Sequence, residues 1–255
     1  MAISLASLQR GHGARPPKVV VYGPTKVGKS TFGAGAPAPV FIQTEEGLDG
    51  LDVARFPLAT SYEEVLEAVG VLAAEDHEFR AVVLDSADWL EPLIWGKVKR
   101  DYEVDTIEAV GGGYGKGYTE ALKYWRDLLD GLDYLRDHKS MTVIIIAHDE
   151  IRQMTPPDGE PYDYAALKLH KRAAAMVEEW ADVIGYADLK TGIRKDDLGF
   201  NKKHARAISL GTRVLHLGKN PAFVTGNRFS MPDEIELDWS AFAEHLPPVP
   251  AVESK

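Results

Sequence analysis

One octapeptide constrains this chain more than any other feature. Gly23-Pro24-Thr25-Lys26-Val27-Gly28-Lys29-Ser30 has the spacing G-x-x-x-x-G-K-S and follows directly on Lys18 to Tyr22 (KVVVY), a β-branched run bounded by glycine. Strand, glycine-rich loop and helix start, in that order, are what a phosphate cradle requires. The glycines let the loop curl so that successive N–H groups face inward, at the positive end of a helix dipole. Lys29 then reaches the β- and γ-phosphates and the Ser30 hydroxyl ligates Mg²⁺. Residues Gly23, Pro24, Thr25, Lys26, Val27, Gly28, Lys29, Ser30 and Thr31 are therefore the candidate cradle, and ATP with Mg²⁺ is the expected ligand pair.

Such a loop needs a second acidic group for the metal at the end of a buried strand. Ala81-Val82-Val83-Leu84-Asp85 is an apolar run ending in aspartate, so Asp85 is the candidate metal residue alongside Ser30; capping the next helix is its structural alternative. Many motor ATPases place a catalytic glutamate directly after that aspartate, but here the residue is Ser86. The water-orienting carboxylate must come from elsewhere. Glu45 and Glu46 follow the strand Val40 to Gln43 and would stand at the same carboxyl edge of the sheet. Consecutive residues point opposite ways, so one of the two reaches the water and the other is solvated.

The rest of the chain alternates strand and helix. The segment from Lys29 reads as a short helix ended by the stretch from Gly33 to Pro39. Ser61-x-x-Glu64 is a capping box, followed by Val65, Leu66, Val69 and Leu72 at helical spacing. A longer helix is expected from Thr119, with Leu122, Trp125, Leu129 and Leu132 on one face, and Met141 to Ala147 reads as a strand. This pattern predicts an α/β fold, a mostly parallel sheet with helices on both faces. Beyond residue 150 a proline-rich loop (MTPPDGEPYD) leads to an Ala-rich helix over about Tyr164 to Trp180 and a strand near Asp182 to Ala187. Ala205 to Leu217 reads as a hairpin around Gly211-Thr212, with one more strand at Phe223 to Thr225. Residues 1–17 are expected as a flexible arm, 18–239 as one domain and 240–255 as an acidic, disordered tail.

Composition removes several classes of chemistry. The 255 residues include no cysteine, which excludes disulfides, thiolate zinc sites, iron–sulfur clusters and cysteine nucleophiles. The longest apolar runs, such as Val143 to Ala147, fall far short of the ~20 residues of a membrane helix. The first residues lack the charged-then-apolar order of a signal peptide. A soluble, cytoplasmic protein without a membrane partner is expected.

Beyond the phosphate loop, the segments look like the ATPase core of RecA. Phe41-Ile42-Gln43-Thr44-Glu45-Glu46-Gly47-Leu48-Asp49 is similar to the RecA segment with the catalytic glutamate, and that resemblance selects Glu45. Val82 to Ser86 resembles the Walker B strand, serine included. Ile144-Ile145-Ile146-Ala147-His148 resembles the strand ending in the γ-phosphate sensor, with histidine at His148 where RecA has glutamine. Over about Lys18 to Trp239 the chain resembles the phage-type RecA-like ATPases of the single-strand annealing and recombination class. The segments that carry this are GGGYGKGYT (111–119), AHDE (147–150), LHKRAAAMVEEWADVIGYA (169–187) and TGNRFSMP (225–232). The resemblance implies a RecA-like P-loop NTPase with a C-terminal β-hairpin extension, slow ATP hydrolysis stimulated by DNA or assembly, single-stranded DNA as partner, and a homo-oligomer.

In the RecA core two loops bind the single strand, and the matching intervals here have suitable residues. Tyr114, Lys116 and Tyr118 lie in a glycine-rich stretch free of acids, where aromatic faces would stack on bases and the lysine would track the backbone. A loop that merely needs positive φ angles explains the same glycines. The second interval holds Arg152, Lys168, Lys171 and Arg172; the last two would share a helix face with Lys168. Net charge is −10, which opposes a phosphate backbone, but it is uneven. Lys190 to Lys219 holds eight Lys and Arg against two Asp, and Pro232 to Lys255 six acids against one Lys. Lys202, Lys203 and Arg206 in the basic stretch are further DNA candidates. Arg228, in a turn past the core strands, is the candidate arginine finger or sensor, with Lys219 as competitor. Two other classes stay open: an assembly or regulatory ATPase with protein partners only, and a small-molecule phosphotransferase, which would need a lid with several arginines.

Overall fold

The computed structural model describes residues 15–197 and 203–247. The strands among the described residues are β1 (Lys18–Gly23), β2 (Pro39–Gln43), β3 (Ala54–Arg55), β4 (Ala81–Asp85), β5 (Thr142–Met154), β6 (Tyr162–Leu167), β7 (Val183–Asp197), β8 (Lys203–His216), β9 (Gly226–Asn227) and β10 (Glu234–Glu236). The helices are α1 (Lys29–Ala34), α2 (Tyr62–Ala74), α3 (Ala87–Asp101), α4 (Lys116–Lys139), α5 (Lys171–Trp180) and α6 (Trp239–Ala243). The sheet runs β10-β8-β7-β1-β5-β4-β2-β3, parallel from β7 through to β3 and antiparallel at the β7–β8–β10 edge.

The alternation of apolar side chains in the central strands builds two cores. Val20 and Tyr22 of β1, with Val143 and Ile145 of β5, face α2, α3, α4 and α5. Val19 and Val21, with Ile144 and Ile146, face α1 and α6. A strand buried on both faces must read as a continuous apolar run, which is why KVVVY and VIIIA stand out in the sequence. In α4 the residues Ala121, Trp125, Leu128, Leu132 and Leu135 recur every three or four positions and are buried along one stripe. Leu122 is only partly buried at the margin of that stripe. The α2 capping box forms: Ser61 Oγ accepts the Glu64 N–H at 3.3 Å, while the Glu64 carboxylate takes the Thr60 N–H at 2.6 Å.

Tyr22 is wholly buried, and its hydroxyl lies 3.1 Å from the carbonyl of Ala165 and 2.9 Å from that of Val224. At the opposite, amino edge of the sheet, Asp182 collects the Lys18 N–H together with ion pairs from Arg136 and Arg228.

Four expectations change. The helix expected from Tyr164 begins only at Lys171, because Tyr162 to Leu167 instead pairs antiparallel with Asp149 to Met154, an extension of β5 beyond the parallel sheet. The hairpin expected around Gly211 is one strand, β8, paired with β7; the residues at Leu210 to Thr212 form an irregularity opposite Lys190, so the glycine marks a bulge and not a turn. Residues 223–225 form bridges only, Phe223 to Ala165 and to Asn220. The domain also runs past residue 239: Phe242 of α6 is fully buried and packs edge-on against Phe32 of α1. Of the expected N-terminal arm, Arg15 pairs with Asp137 and the Pro16 carbonyl accepts from Arg136, while residues 1–14 lie outside the described residues.

Candidate functional site

Strand register gathers the site. Gly23 at the end of β1 stands opposite His148 of β5, Asp85 of β4 stands opposite Ile146, and Gln43 of β2 stands opposite Asp85. The ends of four parallel strands therefore open onto one edge, where α/β sheets take their ligands. A cleft of about 460 Å³ lies there, lined by the phosphate loop from Thr25, by Glu45 and Glu46, and by Asp85, His148 and Arg213.

The Lys29 side chain is buried and its ammonium donates to the carbonyls of Gly23 at 2.7 Å and Pro24 at 2.8 Å. Burial pulls its pKa below the ordinary lysine value, and Asp85, Asp149, Asp88 and Glu45 act against that pull. Val27 anchors the loop in the core, while Thr25, Lys26 and Thr31 are exposed at its rim. Ser30 Oγ donates to Asp85 Oδ2 at 2.6 Å. Burial raises the Asp85 pKa above the ordinary aspartate value and Glu45 adds to the rise, whereas the Ser30 hydroxyl and Lys29 lower it. A hydroxyl and a buried carboxylate converging on one point suit Mg²⁺, which takes one or two protein oxygens and completes its shell with water and substrate phosphate. Among the described residues no three His, Asp, Glu or Cys side chains cluster to hold a metal unaided.

Glu45 is fixed from behind. Its Oε1 accepts the Ser86 hydroxyl at 2.6 Å, and Thr44 ties the two strand ends together by accepting the Ser86 N–H at 2.9 Å and donating to the Ser86 carbonyl at 2.7 Å. Glu46, its neighbour, is exposed at the rim. His148 lies 3.9 Å from Glu45 and 3.0 Å from Asp88, whose Oδ1 also accepts the His148 amide at 3.0 Å. Burial alone would raise the Asp88 pKa, but the bonds from His148 prevail and hold it below the usual aspartate value. The supporting roles of Asp88, Thr44 and Ser86 are not apparent from the sequence, where Ser86 stands out only as the residue after Asp85; the signal for Asp88 is the run from Asp85 to Asp88, four residues joining a strand end to a helix start.

Arg213 is a further addition. It pairs with Leu189, three residues beyond the Tyr22–Tyr186 pairing, so β8 delivers it to the carboxyl edge. Gly28 has φ 113°, and a Cβ there would come within 3.0 Å of the Arg213 guanidinium. The glycine thus serves both the loop's left-handed backbone and the close approach of this arginine. Arg228 is elsewhere. Its N–H donates to the Asp182 carbonyl and its guanidinium pairs with the Asp182 carboxylate at 3.1 Å, at the amino edge of the sheet. The cis sensor role expected for it is thereby corrected, since β1 separates that edge from the loop. Lys219 lies past the end of β8, in the connection to β9.

The expected DNA residues divide. Tyr114 is fully exposed, with φ 58° inside a left-handed glycine turn. Lys116 folds back onto the Gly111 carbonyl at 2.8 Å, and Tyr118 donates to Glu108 at 2.6 Å. Lys116 and Tyr118 are the start of α4 and not a loop. The Arg152 side chain is engaged by Glu150 and by the carbonyls of Leu167 and Leu169, and Arg172 bonds Thr119. Lys168 and Lys171 are exposed; Lys168 precedes α5 and does not share its face. Lys203 and Arg206 belong to β8, opposite Asp197 and Arg194, and Lys202 lies outside the described residues.

A solved structure titled the RadB recombinase is 16% identical, with 87% of this chain and 86% of that one covered and a TM-score of 0.46. No curated protein sequence matches the chain. No helix among the described residues is long and apolar enough to cross a membrane. A family model described as "AAA domain" matches residues 15–229. The chain belongs to that family.

Proposed function

We propose that the protein binds Mg·ATP at the loop from Gly23 to Thr31, hydrolyses it slowly, and acts as a homo-oligomer on single-stranded DNA in phage-type annealing, recombination or replication. The observation that carries the hydrolytic reading is the convergence of Lys29, Ser30, Asp85 and a serine-held Glu45 on one cleft. Ser30 and Asp85 would hold Mg²⁺, which would supply charge stabilisation for the phosphates. Lys29 and Arg213 would face the β- and γ-phosphates. Glu45, held by Ser86, would orient a water in line with the γ-phosphorus. The water oxygen would attack as the bond to the β–γ bridging oxygen breaks, its proton passing to Glu45, leaving ADP and phosphate. His148, fixed by Asp88, would hydrogen-bond a γ-oxygen. Positioning and charge stabilisation supply most of the rate in such a site.

The DNA reading draws on the exposed Tyr114 and on Lys168 and Lys171, which no described residue neutralises. Titrating labelled single-stranded DNA with and without ATP, alongside ATP turnover, tests both parts. Lys29→Ala and Glu45→Gln serve as controls. Turnover that survives both substitutions would overturn the hydrolytic reading. Nucleotide-strengthened, steeply salt-dependent binding supports the DNA role. No binding at low salt would leave an ATPase of protein partners, which the charge of −10 suits better.

A further inference from the structure

A second cavity, of about 940 Å³, lies between α3, the start of α4 and the β5–β6 hairpin. Asp88 lines it, while its partner His148 lines the phosphate cleft, so this hydrogen-bonded pair links the walls of the two spaces. Its walls are aromatic. The Tyr118 and His170 rings stack with centroids 4.3 Å apart and planes 4° from parallel, and Trp95 meets Tyr118 edge-on at 5.4 Å. Trp89 stands at the mouth with 53% of its surface in water, although it is among the largest apolar side chains of the protein. The His170 amide donates to Glu91 Oε2 at 2.8 Å, which fixes the ring that Tyr118 stacks upon.

The charges are as selective as the rings. Arg152 and Glu150 neutralise each other within the wall. Lys168 and Lys171 also line the cavity, and their ammonium groups have no partner among the described residues. Flat aromatic faces beside two unpaired cations match a planar heterocycle carrying a phosphate. An inorganic anion would leave the indoles without purpose, and an apolar peptide would leave the lysines without one.

We infer that this cavity binds one nucleotide unit, its base against Trp89 and the Tyr118–His170–Trp95 wall and its phosphate at Lys168 and Lys171. The inference deepens the single-strand reading above, and it gives that strand a recessed seat beside the nucleotide sensor. The unit reaches the site either as part of a strand or as a free nucleotide. Aromatic stacking is tolerant of sequence, so the site would take any base.

The test uses the full chain with ATP held stoichiometric to the protein, so that the phosphate cleft is supplied while no excess ATP competes for the cavity. Two probes are compared: an oligothymidylate carrying one 2-aminopurine, and free 2-aminopurine riboside monophosphate. Stacking quenches 2-aminopurine fluorescence. Quenching of the oligonucleotide alone assigns the site to a strand, and quenching of the free monophosphate assigns it to mobile nucleotide; either supports the inference. Trp89→Ala, at an exposed position, should weaken binding of the quenched probe about tenfold and remove the quench. Lys168→Ala with Lys171→Ala should lower the salt slope by roughly 0.7 per lysine. No quench with either probe overturns the inference, as does a quench unchanged in both variants. ATP turnover read in the same samples shows separately whether the phosphate cleft works, and oligonucleotide binding that persists without the quench places the strand elsewhere.

Discussion

Ser86 donates a 2.6 Å hydrogen bond to Glu45, so the residue that replaces the glutamate of many motor ATPases instead holds the glutamate supplied by the neighbouring strand. A hydrogen bond to a charged group contributes about 1.5–3 kcal/mol. Ser86→Ala should therefore lower kcat by roughly 10- to 100-fold with KM nearly unchanged, because only the water-orienting geometry is lost. Steady-state ATPase kinetics decide it, and a kcat equal to wild type would remove Ser86 from the mechanism.

Arg213 is expected to act on the nucleotide from within the same chain. Arg213→Ala should reduce kcat on the order of 100-fold or more, as loss of a phosphate-facing arginine does, with Arg213→Lys recovering part of it. Gly28→Ala should impair nucleotide binding, since the new Cβ meets that guanidinium at 3.0 Å on left-handed backbone. Fluorescent-nucleotide titration measures the second effect independently of turnover.

Arg228→Ala offers the contrast. Its side chain is 62% exposed and Asp182 retains Arg136, so a stability loss below about 1 kcal/mol is expected, with turnover intact. Collapse of turnover with normal ATP binding would show Arg228 reaching a neighbouring subunit's cleft.

Glu91 makes stability depend on pH. Burial raises its pKa to about 7, against the His170 amide and the Trp125 indole, which pull it down. The folded state thus holds a proton that the unfolded chain releases near pH 4.5, and this contribution is fully present below that pH and lost as pH rises through 7. Glu91→Gln keeps an acceptor for the His170 amide and removes the titration. Denaturant unfolding should show the variant gaining on wild type between pH 5 and pH 8, by up to about 3 kcal/mol. Parallel curves at the two pH values would contradict it.

What could be read from the sequence was local. The loop from Gly23 to Ser30, the Asp85 strand and the Ser61 cap each declare themselves within ten residues, because their chemistry depends on spacing along one element. Arg213 was invisible for the opposite reason: only the antiparallel register of β8 on β7 returns it to the loop. The alanines before Lys168 suggested helix, yet Ala165 and Ala166 are buried in a strand, where pairing with β5 outweighs helix propensity. Gly211-Thr212 has the composition of a turn, and a bulge uses the same backbone freedom. The acid-free glycine stretch at 111–117 has the composition of a DNA loop, but Lys116 bonds back to the Gly111 carbonyl and the following Tyr118 bonds Glu108, while Tyr114 stays fully exposed.

The buried Tyr22 hydroxyl lies within hydrogen-bonding distance of both Ala165 and Val224, one residue before the phosphate loop begins. That rivet makes β1 and β6 a single mechanical member. A load applied to the β5–β6 hairpin arrives at Gly23 after one covalent step, and recoil of the loop as phosphate departs would travel the same short route outward.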